Sequence, residues 1–286
     1  MTPEMWNRFG PFRDAATARG IPDDDVERWL ATARPCATLT TNGDGPVVGR
    51  FGGPLLLPAG TPDPDHPFVA SVDLAALPPG ATDLPLPPDG HLLLFAFPET
   101  PDHFESMGSV VYVPVGTAVA ERDRHAWNSH DIEDYETMFA EFPQGPLRAT
   151  ADVSLPCHHA VGLTEAPWSR TLPGHPHAED LVKLWGSTED AVVFAGSLQL
   201  GGYASEESVF TDPVADAVSL VVKATEAGQW QGPVSADVSD WTLLADWQAG
   251  RDVQGWESAS VHWVIQREDL AARRFDRAFT SVYWNP

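Results

Sequence analysis

Arg50-Phe51-Gly52-Gly53 and Leu200-Gly201-Gly202-Tyr203 are the two stretches around which this sequence is organised. Each glycine pair is followed by a loop and then by two segments with the composition of β-strands, the second of which is strongly apolar or aromatic. These segments are Phe68–Leu74 and Gly90–Phe97 after the first pair, and Trp241–Gln248 and Ala259–Gln266 after the second. Glycine pairs before strands are also common in β proteins, since glycine readily takes the positive φ angles of tight turns. The repeated order predicts an internal duplication, at about residues 46–100 and 196–280.

Helices are predicted around these strands. We expect residues 1–34 to form an N-terminal helical segment, in which Asp23 caps a helix with one apolar face. Shorter helices are expected at Ala178–Trp185 and Glu268–Ala278. The predicted fold class is therefore α+β: a β-rich single domain over residues 35–286, with two pseudo-repeated sheet halves and peripheral helices.

Three other segments carry local predictions. Asn42-Gly43 lies between the extended stretches Cys36–Thr41 and Pro46–Val48. This arrangement predicts a β-hairpin, because Asn-Gly supplies the positive φ angles that a tight turn needs. The apolar run Ser219–Ala224 is expected to be a strand, and the acidic stretch Arg124–Phe142 a helix.

The charge of the chain restricts its partners. The 286 residues include 17 basic and 41 acidic side chains, which gives a formal net charge of -24. Such a field repels nucleic-acid phosphates and anionic lipids and favours a basic partner. The alternative interpretation is that the negative charge only maintains solubility, as in many proteins of bacteria with GC-rich coding. The prediction is that the chain binds no nucleic acid and no membrane, and that a basic protein is its partner if it has a protein partner.

The cysteines and the hydropathy pattern indicate the cytoplasm. Cys36 and Cys157 are the only two cysteines, and they are too far apart in sequence to suggest a disulfide framework. The longest apolar run, Gly90–Phe97, has the length of a buried strand rather than of a membrane span. Residues 1–8 lack the basic and apolar regions of a signal peptide.

The order of these motifs resembles the YwqG-like family of bacterial proteins. The resemblance covers roughly residues 35 to 284 and is carried by the two glycine-pair stretches together with Leu57-Pro58, Phe68–Pro78, Pro88–Phe95, Trp241–Asp246, Trp256, Val261–Ile265 and Asp269–Phe275. The family has no established activity, so the resemblance implies a fold more than a function. Some relatives lie beside genes for secreted toxins, which implies a role as cytosolic immunity proteins.

The chain departs from the family pattern at several positions. Pro54 follows Gly53 directly, and the Trp-Pro pair of the next loop is absent. Ser71 and Ala245 replace the glutamines of the two repeated strands, and Trp256-Glu257-Ser258 replaces the Gly-Asp before the last strand. If those polar residues form a site in relatives, the site is altered here.

No motif predicts a metal or a cofactor. His125 and His130 lie five residues apart, a spacing that matches no zinc motif. Cys157-His158-His159 with His175 and His177 is the better candidate set by residue type. Adjacent residues of a strand point to opposite faces, however, so His158 and His159 are not expected to share an ion. Nucleophile elbows and phosphate-binding loops are absent from the sequence.

The candidate binding residues are polar and tryptophan side chains on or beside the repeated strands: Arg50, Asp73, His91, Asp246, Trp247, Glu257, His262 and Trp263. Tryptophan is enriched in binding sites, and 11 tryptophans are present, although core packing also explains them. Two functions fit this pattern. The first is a non-enzymatic binding protein, in its sharpest form an immunity-type inhibitor of a basic partner. The second is an enzyme or small-molecule-binding protein that uses a cleft between the duplicated halves.

Overall fold

A computed structural model describes residues 1–97, 105–123, 139–156, 174–204 and 212–284. The strands are β1 (Arg34–Thr40), β2 (Val47–Phe51), β3 (Leu55–Pro58), β4 (Phe68–Asp73), β5 (His91–Ala96), β6 (Gly108–Val113), β7 (Val119–Arg122), β8 (Gly145–Ser154), β9 (Leu198–Gly201), β10 (Trp241–Trp247), β11 (Ser260–Gln266) and β12 (Phe279–Tyr283). The helices are α1 (Pro3–Asn7), α2 (Gly10–Ala18), α3 (Asp23–Leu30), α4 (Ala178–Thr188), α5 (Pro213–Glu226) and α6 (Arg267–Ala271).

Ten of the strands form one antiparallel sheet in the order β12-β11-β10-β9-β1-β8-β2-β4-β5-β6. The strands β2, β4, β5 and β6 follow one another along one side, and β9 to β12 follow one another along the other. The pair β1 and β8 joins the two sides at the centre. β3 and β7 form a separate two-stranded sheet.

The edges of the large sheet approach each other, so the sheet is nearly closed. The backbone N–H of Met107, just before β6, donates to the carbonyl oxygen of Thr280 in β12 at 2.9 Å. The N–H of Thr280 in turn donates to Ser106 Oγ at 3.0 Å. Deeper in the molecule, the indole N–H of Trp263 donates to the carbonyl oxygen of Phe95 at 3.0 Å and links β11 to β5. The contacts of Met107 and Thr280 occupy backbone groups that an open sheet edge would leave exposed.

One apolar core fills the space that the sheet encloses, and all ten strands contribute to it. A second apolar cluster lies outside the sheet, where Phe9 and Phe12 of α2 pack against Trp185 of α4. A third lies under α5, which covers Trp241 and Leu243 of β10. All seven residues of β10 are buried because one face of the strand meets the central core and the other lies beneath this cover. None of the helices in the described ranges combines the length and the apolar character needed to cross a bilayer.

Four predicted strands are confirmed: 68–74 is β4, 90–97 is β5, 241–248 is β10 and 259–266 is β11. The helix predicted after Pro22 is confirmed as α3. The prediction that Asp23 caps this helix is wrong, since Pro22 is the N-cap residue. The predicted hairpin is also wrong, because β8 lies between β1 and β2. The segment predicted as a strand at Ser219–Ala224 belongs to helix α5. The helix predicted at Glu268–Ala278 is shorter, and most of the helix predicted at Arg124–Phe142 lies outside the described residues.

Cys36 of β1 is fully buried, and burial raises the pKa of its thiol well above the usual value. A thiol that stays protonated and inaccessible is a poor nucleophile. We therefore expect iodoacetamide to alkylate Cys36 at least about tenfold more slowly in the native protein than in urea, as measured by peptide mass spectrometry. Equal rates in the two conditions would contradict the buried placement.

Candidate functional site

A row of polar side chains crosses five neighbouring strands. The backbone register pairs Thr38 of β1 with Gln199 of β9, Gln199 with Asp246 of β10, Asp246 with His262 of β11, and His262 with Ser281 of β12. Four of the five residues are buried, and Gln199 is half-buried. A continuous buried polar row is unusual because each such group must be hydrogen-bonded or charge-paired to offset its desolvation.

The row lies on the outer face of the sheet. Successive residues of a strand point to opposite faces. Ala245 and Trp247 enter the central core, so Asp246 between them points outward; Val261 and Trp263 place His262 in the same way. The row is therefore covered by elements outside the sheet.

The segment between α4 and β9 covers the row at Thr38, Gln199 and Asp246 and leaves a cavity of about 240 Å³. The floor of the cavity includes Thr38, Asp152, Gln199 and Asp246. Its walls come from Glu189, Asp190 and the stretch 193–197, with Gln248 and Arg251 from the end of β10 and the turn after it. This volume suits a small ligand or a single inserted side chain.

Asp152 is the best-satisfied polar group of the cavity. Its Oδ1 accepts from Arg8 Nη2 at 2.6 Å and from the N–H of Val153 at 2.8 Å. Its Oδ2 accepts from Thr38 Oγ1 at 2.8 Å and from the N–H of Phe194 at 2.7 Å. The carboxylate thus joins the N-terminal helices, the sheet and the cavity wall, and its charge is balanced by Arg8.

Asp246 and His262 form the second ionisable contact. Asp246 Oδ1 lies 3.5 Å from His262 Nε2, and both side chains are almost completely buried. The ring of Tyr283 lies edge-on to the imidazole, at 5.4 Å between centroids. A carboxylate beside an imidazole is an arrangement that supports acid–base chemistry, and carboxylate oxygens accept hydrogen bonds from cationic ligands.

Negative charge predominates in the cavity. Four carboxylates line it, from Asp152, Glu189, Asp190 and Asp246. Arg8 balances the charge of Asp152, which leaves three carboxylates and the guanidinium of Arg251. Burial raises the pKa of Glu189, and the charge of Asp190 adds to the increase while Arg251 opposes it. Gln248 Oε1 is buried and makes no hydrogen bond to any residue that the structure describes. The surplus of acceptor oxygens favours a ligand that donates hydrogen bonds and carries positive charge.

The structure places the polar residues predicted from the sequence in three locations. Asp246 and His262 come together in the buried row. Asp73 and His91 are register partners at the ends of β4 and β5, where Asp73 accepts from the N–H of Ala75. Arg50 is exposed on β2.

The other predicted residues lie apart from the cavity. Glu257 is exposed in the turn before β11, where hydrogen bonds from backbone N–H groups lower its pKa. Trp247 and Trp263 are buried in the central core, and the indole of Trp247 donates to Asp252 Oδ2 at 2.8 Å.

The sequence reasoning missed Arg8, Asp152, Glu189 and Gln199. Asp152 escaped because β8 was not predicted as a strand. Gln199 occupies the polar position between Leu198 and Leu200, so alternation along β9 could have found it.

Of the metal candidates, the structure describes His175 and His177. No group of three His, Cys, Asp or Glu side chains that could hold a metal ion occurs among the described residues. His175 packs against Trp29, and His177 lies 3.5 Å from Asp25. The other candidates, His125, His130, Cys157, His158 and His159, lie outside the described ranges.

Comparison with known proteins gives a family and no activity. No curated protein matches the chain. The sequence pattern described as "Domain of unknown function (DUF1963)" matches residues 49–283. This match includes the row from Gln199 to Ser281 and leaves Thr38, β1 and the three N-terminal helices outside it. Since the match covers most of the chain, the protein belongs to the DUF1963 family of domains of unknown function.

Proposed function

We propose that the chain is a non-enzymatic binding protein that holds a positively charged group of its ligand, a guanidinium or an ammonium, in the acidic cavity. The observation that carries this proposal is the set of carboxylates around a cavity of about 240 Å³: beside the Asp152–Arg8 ion pair, Glu189, Asp190 and Asp246 line it with Arg251 as the opposing charge. The net charge of -24 has the same sign, so the field of the whole chain steers a cation toward the site.

The finer expectations from the sequence form part of the same proposal. In its sharper form, the ligand is a basic protein that the chain inhibits as a cytoplasmic immunity protein of a bacterium, and one Lys or Arg of that protein enters the cavity. The assignment to the YwqG-like family rests on the ordered motifs quoted above.

Internal duplication is likewise proposed. Gly52 and Gly53 follow β2 with φ angles of 56° and 83°, and Gly201 and Gly202 end and follow β9 with 68° and 74°. Each pair precedes a run of consecutive antiparallel strands, which supports a common origin of the two sides.

Agmatine is a suitable probe, because it carries one guanidinium and one ammonium. We expect calorimetry to detect agmatine binding to the wild type and an affinity at least about tenfold lower for Asp246→Asn. Glu189→Gln, at the half-buried rim, should weaken binding by less and tests the site without altering the buried pair. The matched control is Glu226→Gln, which removes one negative charge from an exposed position at the end of α5.

The expected pH dependence follows from Glu189. Its raised pKa means that protonation neutralises the rim as the pH falls, so affinity for agmatine should be highest above that pKa and decrease below it. Equal losses in Glu189→Gln and Glu226→Gln would show that only net charge matters and would contradict a specific site. A short arginine-containing peptide that competes with agmatine would support a protein ligand.

An enzyme is the second candidate, and the Asp246–His262 contact favours it. Mass spectrometry of the probe after long incubation separates the two functions. A binding protein returns the ligand unchanged, whereas an enzyme alters it.

A further inference from the structure

Arg8 connects the N-terminal helices to the cavity wall. It stands at the C-terminal end of α1, and its guanidinium donates to Asp152 Oδ1 at 2.6 Å and to the carbonyl oxygen of Val192. The guanidinium also lies over the ring of Phe194, at 4.4 Å from the centroid. One side chain therefore contacts both the buried carboxylate on the floor and the segment that forms the wall.

The wall segment is anchored at its start, where Val192 belongs to the second apolar cluster, and is more exposed at its middle. Phe194 is about half exposed, and its N–H donates to the same Asp152 carboxylate that Arg8 pairs with. Gly196 lies so close to β1 that an added Cβ would stand 2.6 Å from Thr38 Cγ2. At its end, the carbonyl oxygen of Ser197 accepts from the N–H of Gln248 at 2.8 Å. The part of the segment around Phe194 is therefore the part that depends on Asp152 and Arg8.

We propose that Arg8 is a positioning residue that holds the segment Val192–Ser197 against the sheet and so fixes the shape and charge of the cavity. By pairing with Asp152, Arg8 neutralises one of the four negative charges that line the cavity. A cationic ligand then meets the charges of Glu189, Asp190 and Asp246. This part of the inference rests on the proposed function. Arg8 lies outside residues 49–283, so an N-terminal segment beyond the family match would set the selectivity of this chain.

Arginine suits this role better than lysine. Its planar guanidinium can donate to a carboxylate and a carbonyl while it stacks on an aromatic ring, which a single ammonium cannot do. Arg8→Lys should therefore keep the positive charge but only part of the contacts that hold the wall segment. Arg8→Met should lose both the charge and the hydrogen bonds while it keeps an apolar side chain of similar length.

Hydrogen–deuterium exchange tests the proposal without any ligand. In Arg8→Met we expect the amides of 192–197, above all that of Phe194, to exchange about tenfold or more faster than in the wild type. The amides of β10 and β11 should keep their wild-type rates. Arg13→Met is the matched control, since Arg13 stands in the next helix, α2, and pairs with the exposed Glu27.

Two results would overturn the proposal. Unchanged exchange of 192–197 in Arg8→Met would show that the wall does not depend on Arg8. An equal increase in the wall and in β10 would show that Arg8 stabilises only the whole fold. Because exchange is measured on the free protein, a failure of the wild type to bind agmatine would count against the proposed function and leave this test intact.

Discussion

Replacing Asp152 with alanine is expected to lower the free energy of unfolding by about 3–5 kcal/mol, among the largest effects of any single substitution in this chain. The carboxylate is completely buried and accepts four hydrogen bonds. Its removal leaves Thr38 Oγ1 and the N–H of Phe194 without this acceptor and Arg8 without its counter-charge. Leaving a buried donor without its acceptor lowers stability by more than the intact hydrogen bond or ion pair contributes, because the desolvation of that donor is no longer offset.

Asp83→Ala provides the comparison. Asp83 is also paired with an arginine, Arg34, at 2.9 Å, but its side chain is 39% exposed. Water can therefore replace the lost interaction, and the expected change is about 0–1 kcal/mol. Urea denaturation followed by tryptophan fluorescence measures both variants.

A double-mutant cycle separates the ion pair from the other contacts of Asp152. If Arg8→Met and Asp152→Asn each destabilise the protein, the double variant should lose clearly less than the sum of the two. Additive losses would mean that Arg8 and Asp152 act independently, which would contradict the geometry described above. A cost for Asp152→Ala no larger than that for Asp83→Ala would contradict its placement at the junction of helices, sheet and wall.

The strands predicted from the sequence were those with strong apolar patterns. β5 contains a continuous apolar run and β11 is mostly apolar and aromatic, and each is a strand with nearly all its residues buried. β8 escaped detection because its inward positions include Ala149 and Ala151, which give a weak hydrophobic signal. Missing this central strand produced the wrong hairpin, since Asn42-Gly43 has a favourable turn sequence but β8 takes the pairing edges of both β1 and β2.

The error at α5 has a different cause. Val221 and Val222 favour a strand by propensity, yet Asp212 accepts from the N–H of Val214 and Pro213 occupies the first helical turn. These are the usual signals of a helix start. The packing of α5 on Trp241 then buries its valines as a helical face, so tertiary contacts outweighed the β propensity.

The site was only partly predictable for the same reason. Asp246 and His262 stand on strands that the sequence revealed, and their register makes them neighbours. Arg8, Asp152 and Glu189 come from three distant parts of the chain, which the β1–β8 pairing and the packing of the N-terminal helices against α4 bring to one side of the sheet. Sequence spacing carries no information about such a meeting.

The second large effect is expected from Gly202→Ala, with Gly228→Ala as its matched control. Both glycines have positive φ, at 74° and 75°, so alanine at either position pays the same backbone cost of about 1–2 kcal/mol. They differ in their surroundings. A Cβ at Gly202 would lie 2.5 Å from Ser154 Oγ and 2.9 Å from Cys36 Cβ, whereas one at Gly228 would meet nothing within 4 Å.

The difference between the two variants therefore isolates the close approach of the turn after β9 to β1 and β8. Overpacking of this kind adds about 1–3 kcal/mol, so Gly202→Ala should lose clearly more stability than Gly228→Ala in urea denaturation. It should also disturb the cavity, because Ser154 lines it and accepts from the N–H of Tyr203 at 2.8 Å. Agmatine affinity should fall in Gly202→Ala alone. Equal stability losses would mean that the turn can move away from Ser154 without cost, and the glycine would then serve only the backbone angle.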